Sequence, residues 1–202
     1  TNMYHFIKYV NARHGRNFAS YDDLYEWSIQ ESPTFWATLW DYTGIIHSRM
    51  YDQVVDDIDK MPGARWFEGA QLNFTENLLQ YRDDRIALSF KGEGRPTRNL
   101  TYAELYQQVT RLAQSLRDLG IGVGDRVAGF MPNMIETVSA MLATTSIGAI
   151  WSSCSSDFGT KGVLDRFGQI EPRVLFTADG YLYNGNEFDS LERISGIIKE
   201  LP

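Results

Sequence analysis

The sequence predicts an α/β protein in which an open parallel sheet follows a helical, aromatic-rich N-terminal layer. From residue 85 onward, short apolar runs alternate with amphipathic helical stretches, a pattern typical of parallel sheets with helical crossovers. Four of the five tryptophans fall within the first 66 residues, which indicates a separate layer there. We therefore expect an N-terminal helical segment over residues 1–84 and a sheet domain over residues 85–202.

Composition places the chain among globular proteins. Hydrophobic residues make up 43% of the 202 residues and charged residues 22%, values that fit a packed core rather than a disordered chain. The formal net charge of −7 argues against nucleic acid as a partner, because phosphate neutralisation needs a basic surface. No apolar run approaches the roughly 18 residues that span a bilayer, and the start lacks the apolar core of a signal peptide. We expect no membrane partner and a cytoplasmic location.

Cysteine and histidine usage argues against a disulfide and against a Cys/His zinc site. Cys154 is the only cysteine and the three histidines are scattered, so we expect neither an internal disulfide nor a Cys/His zinc site. We interpret Cys154 as a small buried residue at a strand end rather than a nucleophile, because its neighbours are uncharged serines.

Helices dominate the predicted N-terminal layer. Ser20 and Asp23 form a capping box that opens the helix YDDLYEWSIQE. Ser32 and Pro33 are expected to be the N-cap and first residue of a second helix, PTFWATLWDYT. Residues 45–72 have no clear period and are interpreted as a wrapping segment, after which Asn73 caps a short helix.

The predicted sheet domain begins with the strand IALSF and a glycine-rich turn. Thr101 and Glu104 form a capping box for a long helix with a continuous apolar stripe. The following elements are the strand RVAGFM, the helix MIETVSAMLATTSI, the strand AIWSS, the loop CSSDFG, the helix TKGVLDRFGQI and the strand RVLFTA. A turn at Asn184-Gly185 then leads to a final helix, for which Asp189 is the expected cap.

The loop CSSDFG is the candidate binding site. In an open parallel sheet, ligands gather outside the carboxyl ends of the strands, where loops lead into helix N-termini. Ser155, Ser156 and Asp157 therefore lie where backbone amides and small hydroxyls can meet a polar or anionic ligand. The alternative is that Ser156 or Asp157 merely caps the next helix, and spacing alone favours that alternative.

Other local motifs do not point to chemistry. Gly120, Gly122 and Gly124 resemble a dinucleotide fingerprint, but they follow a helix and lead into a strand, the reverse of the order that this fingerprint requires. The sequence contains neither a P-loop motif nor a Gly-x-Ser-x-Gly nucleophile elbow. Arg166 is interpreted as a surface residue.

Longer stretches of the sequence resemble the adenylate-forming acyl-CoA synthetases. The general motifs LTYAEL, GVGDRV, MPNMIETVSAMLA and VLFTAD are shared with synthetases for acetate and propionate. The more particular motifs WDYTGI, WSSCSSDFG and VLDRFGQIEP are similar to those of members that activate acetoacetate. The resemblance covers nearly the whole chain. It identifies residues 1–84 with the short domain that precedes the adenylation core, and residues 85–202 with the first, truncated part of the AMP-binding domain.

This resemblance implies a two-step ligase. ATP and a carboxylate, here acetoacetate, would give an acyl-adenylate and pyrophosphate with Mg²⁺, and the CoA thiol would then release AMP. Such chemistry depends on positioning and charge stabilisation more than on a protein nucleophile. The family's phosphate loop, later ATP-binding motifs and catalytic lysine would lie beyond Pro202, so no catalytic or metal-binding residue is assigned. Because the chain also starts on Thr1 rather than Met, we expect a fragment that is inactive alone and binds no cofactor tightly.

The resemblance also implies that CoA passes close to the loop CSSDFG. The residues expected to line the pantetheine path are Ser155, Ser156, Asp157 and Phe158. In acetyl-CoA synthetases, arginines a little downstream contact the 3′-phosphate of CoA. The matching positions here are Tyr183 and Asn186, neither of which is cationic, so the contacts with CoA must differ.

Three alternatives remain open at this point. The chain could belong to a related synthetase acting on acetate, propionate or another short acid. It could be a non-catalytic relative that keeps the scaffold as an interaction module. A nicotinamide-binding dehydrogenase is the least favoured alternative, because the order of the glycines is wrong for it.

Overall fold

The structure, a computed structural model, describes residues 1–201 and divides the chain into two compact units, Thr1–Leu72 and Asn73 onward. The division lies ahead of residue 84, the predicted domain boundary. Asn73 supplies a physical reason, because its side-chain amide donates to the carbonyl oxygens of Thr145 (3.0 Å) and Ser146 (3.2 Å). These hydrogen bonds attach the segment before residue 84 to the second unit.

Three helices and a two-stranded antiparallel sheet form the first unit. Their bounds are α1 (Asn2–His14), α2 (Tyr21–Gln30), α3 (Ser32–Thr43), β1 (Gln53–Val55) and β2 (Trp66–Glu68). The capping box predicted for α2 is confirmed, since the Ser20 hydroxyl accepts from Asp23 N and the Asp23 carboxylate accepts from Ser20 N. The core residues are Phe6, Ile7, Val10, Leu24 and Trp27, with Phe35 and Leu39 packed against them.

The start of α3 differs from the prediction. Glu31, not Ser32, is the N-cap, and its side chain makes no capping hydrogen bond. Ser32 and Pro33 lie in the first turn, where proline costs nothing because its missing N–H would have no partner. The helix ends as expected at Gly44, which has a φ of 63°.

The second unit contains a three-stranded parallel sheet, which confirms the predicted fold class. Strand β5 lies between β6 and β7, while β3 with β4 and β8 with β9 form antiparallel pairs. The bounds are α4 (Phe74–Leu78), β3 (Ile86–Phe90), β4 (Arg98–Thr101), α5 (Tyr102–Asp118), β5 (Arg126–Phe130), α6 (Ile135–Ser146), β6 (Ile150–Cys154), α7 (Thr160–Ile170), β7 (Val174–Thr177), β8 (Gly180–Tyr183), β9 (Asn186–Asp189) and α8 (Leu191–Glu200).

Strand β5 separates two apolar clusters because successive side chains point to opposite faces of the sheet. Val127 belongs to the cluster formed with α5 and α6, whereas Ala128 and Phe130 belong to the cluster formed with α7 and α8. Both faces of the strand are therefore covered, as is usual for parallel sheets. At Gly129, a Cβ would come within 2.6 Å of the Trp151 ring, so this ring packs directly on the β5 backbone.

Two predicted details of the second unit need adjustment. Strand β4 was not expected, because only a turn was predicted between IALSF and the capping box. The N-cap of α8 is Ser190, although Asp189 does accept a hydrogen bond from Leu191 N at 2.7 Å. Across residues 1–201, no helix combines the length and apolar character needed to cross a bilayer.

Candidate functional site

The loop Ser155–Gly159 lies at the carboxyl edge of the parallel sheet. Cys154, the last residue of β6, is paired with Phe130, the last residue of β5, so the two strands end at the same level. Thr177 at the end of β7 pairs with the same position of β5. The residues that follow all three strands therefore meet at one edge, where open parallel sheets bind ligands.

A tight turn fixes the shape of this loop. Phe158 N donates to the carbonyl oxygen of Ser155 at 3.1 Å. Ser156 is only 4% exposed, yet its hydroxyl has no hydrogen-bond partner among residues 1–201. The N-cap of α7 is Gly159, which has no side chain to offer. The alternative in which Ser156 or Asp157 caps α7 is therefore wrong, and both side chains stay available for another role.

Two arginines flank the loop, one from each helix that packs on this face of the sheet. Arg193 of α8 donates from Nη1 to the carbonyl oxygens of Ser156 (3.0 Å) and Phe158 (3.4 Å). Arg166 of α7 places its guanidinium carbon 4.5 Å from the centroid of the Phe158 ring. The Arg166 side chain is exposed, as expected, and donates to Gly162 O at 2.8 Å. Phe158 is thus held on its ring by one helix and on its carbonyl by the other.

Cys154 lies beneath the loop as a buried thiol. It is 5% exposed and packs in the cluster with Phe130 and Phe167. Burial raises the pKa of the Cys154 thiol, and the positive charge of Arg166 only partly opposes that shift. The thiol therefore stays protonated at neutral pH, which agrees with a packing role and not with a nucleophile.

A cleft of about 470 Å³ opens at the same edge, and the sequence did not predict it. Its walls come from the β3–β4 turn, the residues after β5 and the start of β8. Arg95 and Arg98 line the cleft, with Arg98 in an ion pair with Glu136 (2.6 Å), and Asp179 and Tyr181 lie on the β8 side. No local signal could have revealed this cleft, because its walls are separated by many residues along the chain.

Glu93 connects two hairpins beside the cleft. Its carboxylate oxygens accept hydrogen bonds from the backbone amides of Asn184 and Gly185, both at 3.0 Å. Asn184 has a φ of 51° and Gly185 a φ of 75°, which is the turn predicted at this dipeptide. The hydrogen bonds from Gly185 N and Asn184 N lower the pKa of the Glu93 carboxyl.

The β8–β9 hairpin leaves the two positions named from the family resemblance at the surface. Tyr183 is exposed and Asn186 is exposed, and no cation replaces them within the hairpin itself. Between residues 1 and 201, no group of three or more His, Cys, Asp or Glu side chains is arranged to hold a metal ion. We therefore assign no Mg²⁺ ligand among the described residues and derive no step through the ion from them.

Comparison with known proteins defines the class of the chain. Residues 74–201 match the family of AMP-binding enzymes, and residues 21–78 match the acetyl-coenzyme A synthetase N-terminus. Since the first match covers more than half of the chain, the chain belongs to the AMP-binding enzyme family.

Individual relatives are more specific. The chain is 48% identical over 199 residues to the acetoacetyl-coenzyme A synthetase of Rhizobium meliloti strain 1021, covering 98% of the chain and 30% of that protein. It is 43% identical over 209 residues to a malonamoyl-CoA synthetase of Penicillium aethiopicum, and the match covers 100% of the chain and 29% of that protein. The structure of acetoacetyl-CoA synthetase from Streptomyces lividans superposes with a TM-score of 0.91 at 42% identity, covering 98% of the chain and 31% of that structure. The chain thus spans about 30% of the length of the relatives it matches.

Proposed function

We propose that the intact protein, meaning the full polypeptide that carries these 202 residues, is an acid-thiol ligase that makes acetoacetyl-CoA. In the first step, a carboxylate oxygen of acetoacetate attacks the α-phosphorus of ATP, and pyrophosphate leaves. In the second step, the CoA sulfur attacks the acyl carbon of the adenylate, AMP leaves, and the thiol proton is released. Mg²⁺ would neutralise phosphate charge when bound to the intact enzyme.

The role proposed for this chain is to line the CoA path with the loop Ser155–Phe158. The observation that carries it is a loop at the carboxyl edge of the sheet whose Ser156 hydroxyl and Asp157 side chain take no part in capping. Pantetheine presents amide carbonyls, which accept hydrogen bonds, and amide N–H groups, which donate them, and CoA also presents accepting phosphate oxygens. The backbone amides and serine hydroxyls of the loop are suitable donors for the oxygens, and the Asp157 carboxylate is a suitable acceptor for a pantetheine N–H.

The substrate class is a short carboxylic acid with a carbonyl group at C3. Acetoacetate and malonamate, the acids of the relatives named above, share that carbonyl and differ by a methyl against an amino group of similar size. Acetate and propionate lack it. We therefore place acetoacetate first in the expected order of substrates, with malonamate second.

A substrate panel on the intact protein tests the proposed activity. The readouts are acid-dependent pyrophosphate exchange into ATP, which reports the first step, and thioester formation with CoA. We expect exchange with acetoacetate above that with malonamate, acetate or propionate. A preference for acetate or propionate would assign the protein to the related synthetases, and the absence of exchange with every acid would favour a non-catalytic scaffold. The 202-residue chain alone is expected to give no exchange.

Loop variants of the intact protein test the proposed CoA path. Ser156→Ala and Asp157→Asn are expected to raise the KM for CoA severalfold while leaving pyrophosphate exchange unchanged. Ser156→Ala is informative because it removes a hydroxyl that makes no hydrogen bond with residues 1–201, so the change should cost little stability. Ser195→Ala and Asp165→Asn, at exposed positions of α8 and α7, are the matched controls. An unchanged KM for CoA in both loop variants would contradict the proposed path.

A further inference from the structure

Arg193 makes a pair of contacts that none of the functional assignments above explains. It lies in the first turn of α8, partly buried, and its Nη1 donates to the carbonyl oxygens of Ser156 and Phe158. No carboxylate of residues 1–201 lies within ion-pair distance of this guanidinium. Arg193 has no acidic partner among residues 1–201, so its guanidinium is free to hold two backbone carbonyls of one loop. These two contacts fix the loop.

The orientation of the two carbonyl groups determines the orientation of two amides. In a planar trans peptide, the C=O of one residue and the N–H of the next point in opposite directions. Because the carbonyls of Ser156 and Phe158 point at Arg193, the N–H groups of Asp157 and Gly159 point away from α8. Neither of these N–H groups donates to an acceptor among residues 1–201.

The loop consequently has two chemically different sides. Its accepting side faces Arg193, and its donating side, with two amides that have no acceptor among residues 1–201, faces away from α8. Unpaired amides of this kind suit carbonyl or phosphate oxygens of a ligand. Helix α8 can hold Arg193 firmly, since its residues Ile194 and Ile197 are 5% and 0% exposed in the cluster with α7.

We propose that Arg193 is a positioning residue for the thioester-forming step. This role rests on the proposed CoA path, and Arg193 makes no contact with CoA itself. Its guanidinium holds the two loop carbonyls, and the amides of Asp157 and Gly159 are thereby presented to oxygen acceptors of CoA. The adenylation step, which needs no CoA, does not depend on this geometry.

The experiment compares Arg193→Met and Arg193→Lys in the intact protein, with Lys199→Met, exposed near the end of α8, as the matched control. The readouts are the KM for CoA, kcat, acid-dependent pyrophosphate exchange without CoA, and hydrogen exchange of peptides covering residues 152–162. For Arg193→Met we expect a roughly tenfold higher KM for CoA, the size expected for about 1.4 kcal/mol of lost binding. Faster exchange of the loop peptides should accompany it, with pyrophosphate exchange unchanged. Arg193→Lys should lie between the parent and Arg193→Met, because lysine keeps the charge but not the planar donor geometry.

Different failures have different meanings. If Arg193→Met leaves the KM for CoA unchanged while Ser156→Ala and Asp157→Asn raise it, the role of Arg193 is wrong and the CoA path stands. If all three leave it unchanged, the path itself is wrong. A parallel loss of pyrophosphate exchange and thermal stability would make Arg193 merely structural. Should Arg193→Met fail to fold, Arg193→Lys decides through the same KM and hydrogen-exchange readouts.

Discussion

At the scale of single residues, Glu93 shows how one exposed carboxylate can organise a surface. The amides of a two-residue turn with positive φ point to the same side and form a small anion-binding concavity, which here accepts a carboxylate of the protein itself. Glu93 itself and strand β8 both line the cleft, so the contact of Glu93 with the turn after β8 ties two parts of the cleft wall together.

The Glu93 contact is expected to depend on pH. The pKa of its carboxyl is lowered in the folded state, so the ionised form is favoured by folding and the contact is complete above the ordinary pKa of glutamate. The contact should be lost as pH falls through the lowered folded pKa. Hydrogen exchange of peptides covering residues 180–189, corrected for the intrinsic pH dependence of exchange, is the measurement.

A neutral variant separates charge from shape at this position. Glu93→Gln should show the fast exchange of the 180–189 segment already at neutral pH, since the charge-assisted hydrogen bonds become weaker ones. Glu187→Gln, on an exposed position of β9 without such a contact, is the control. Protection that is unaffected by Glu93→Gln and by pH would show that the two turns are held by other contacts.

At the scale of elements, strand β5 has no free space for a side chain at Gly129. It is the central strand, and the Trp151 ring fills the space above Gly129. Gly129→Ala would place a methyl group 2.6 Å from that ring, so either the ring or the strand must move. We expect a loss of about 1–3 kcal/mol in the free energy of unfolding, the usual range for overpacking a core.

Chemical unfolding of the protein measures this loss, and Gly168→Ala is the matched control. Gly168 lies in α7, and nothing within 4 Å would contact an added Cβ there. Alanine at that site should be neutral or stabilising by about 0.5–1 kcal/mol, because glycine is a poor helix former. Equal effects of the two substitutions would mean that the contact between Trp151 and Gly129 is not rigid.

Which elements could be predicted from the sequence depends on whether their signals are local. The capping boxes before α2 and α5 are complete within four residues, and both are confirmed. The short strands β1, β2 and β4 were missed, because three or four residues are too few to show a period and their pairing partners decide their structure. At α3 the Ser-Pro pair predicts an N-cap at Ser32, but Ser32 is already the first helical residue.

At the scale of the whole molecule, the order of elements predicts where a ligand is expected to bind, but it does not predict which residues surround that loop. The rule that ligands bind at the carboxyl ends of parallel strands selected the loop after β6, which needs only the order of elements. Arg193 contacts that loop from a position 35 to 37 residues further along the chain. Glu93 contacts the β8–β9 turn, which lies 91 to 92 residues further along the chain. Contacts at such separations leave no pattern in a single sequence, so they emerge only from the structure.

A chimera tests whether the residues that select the acid lie within this chain. This chain is 43% identical to the malonamoyl-CoA synthetase and 48% identical to an acetoacetyl-coenzyme A synthetase. If the chain held the residues that distinguish the two acids, we would expect a larger difference between these two identities. We therefore expect that replacing the matching 29% of the malonamoyl-CoA synthetase by this chain leaves its preference for malonamate over acetoacetate within about threefold, measured by pyrophosphate exchange. The KM for CoA should shift instead, because the proposed loop is exchanged. Restoring the recipient's own loop within the chimera is the control. A reversal of acid preference toward acetoacetate would place acid selection within these residues.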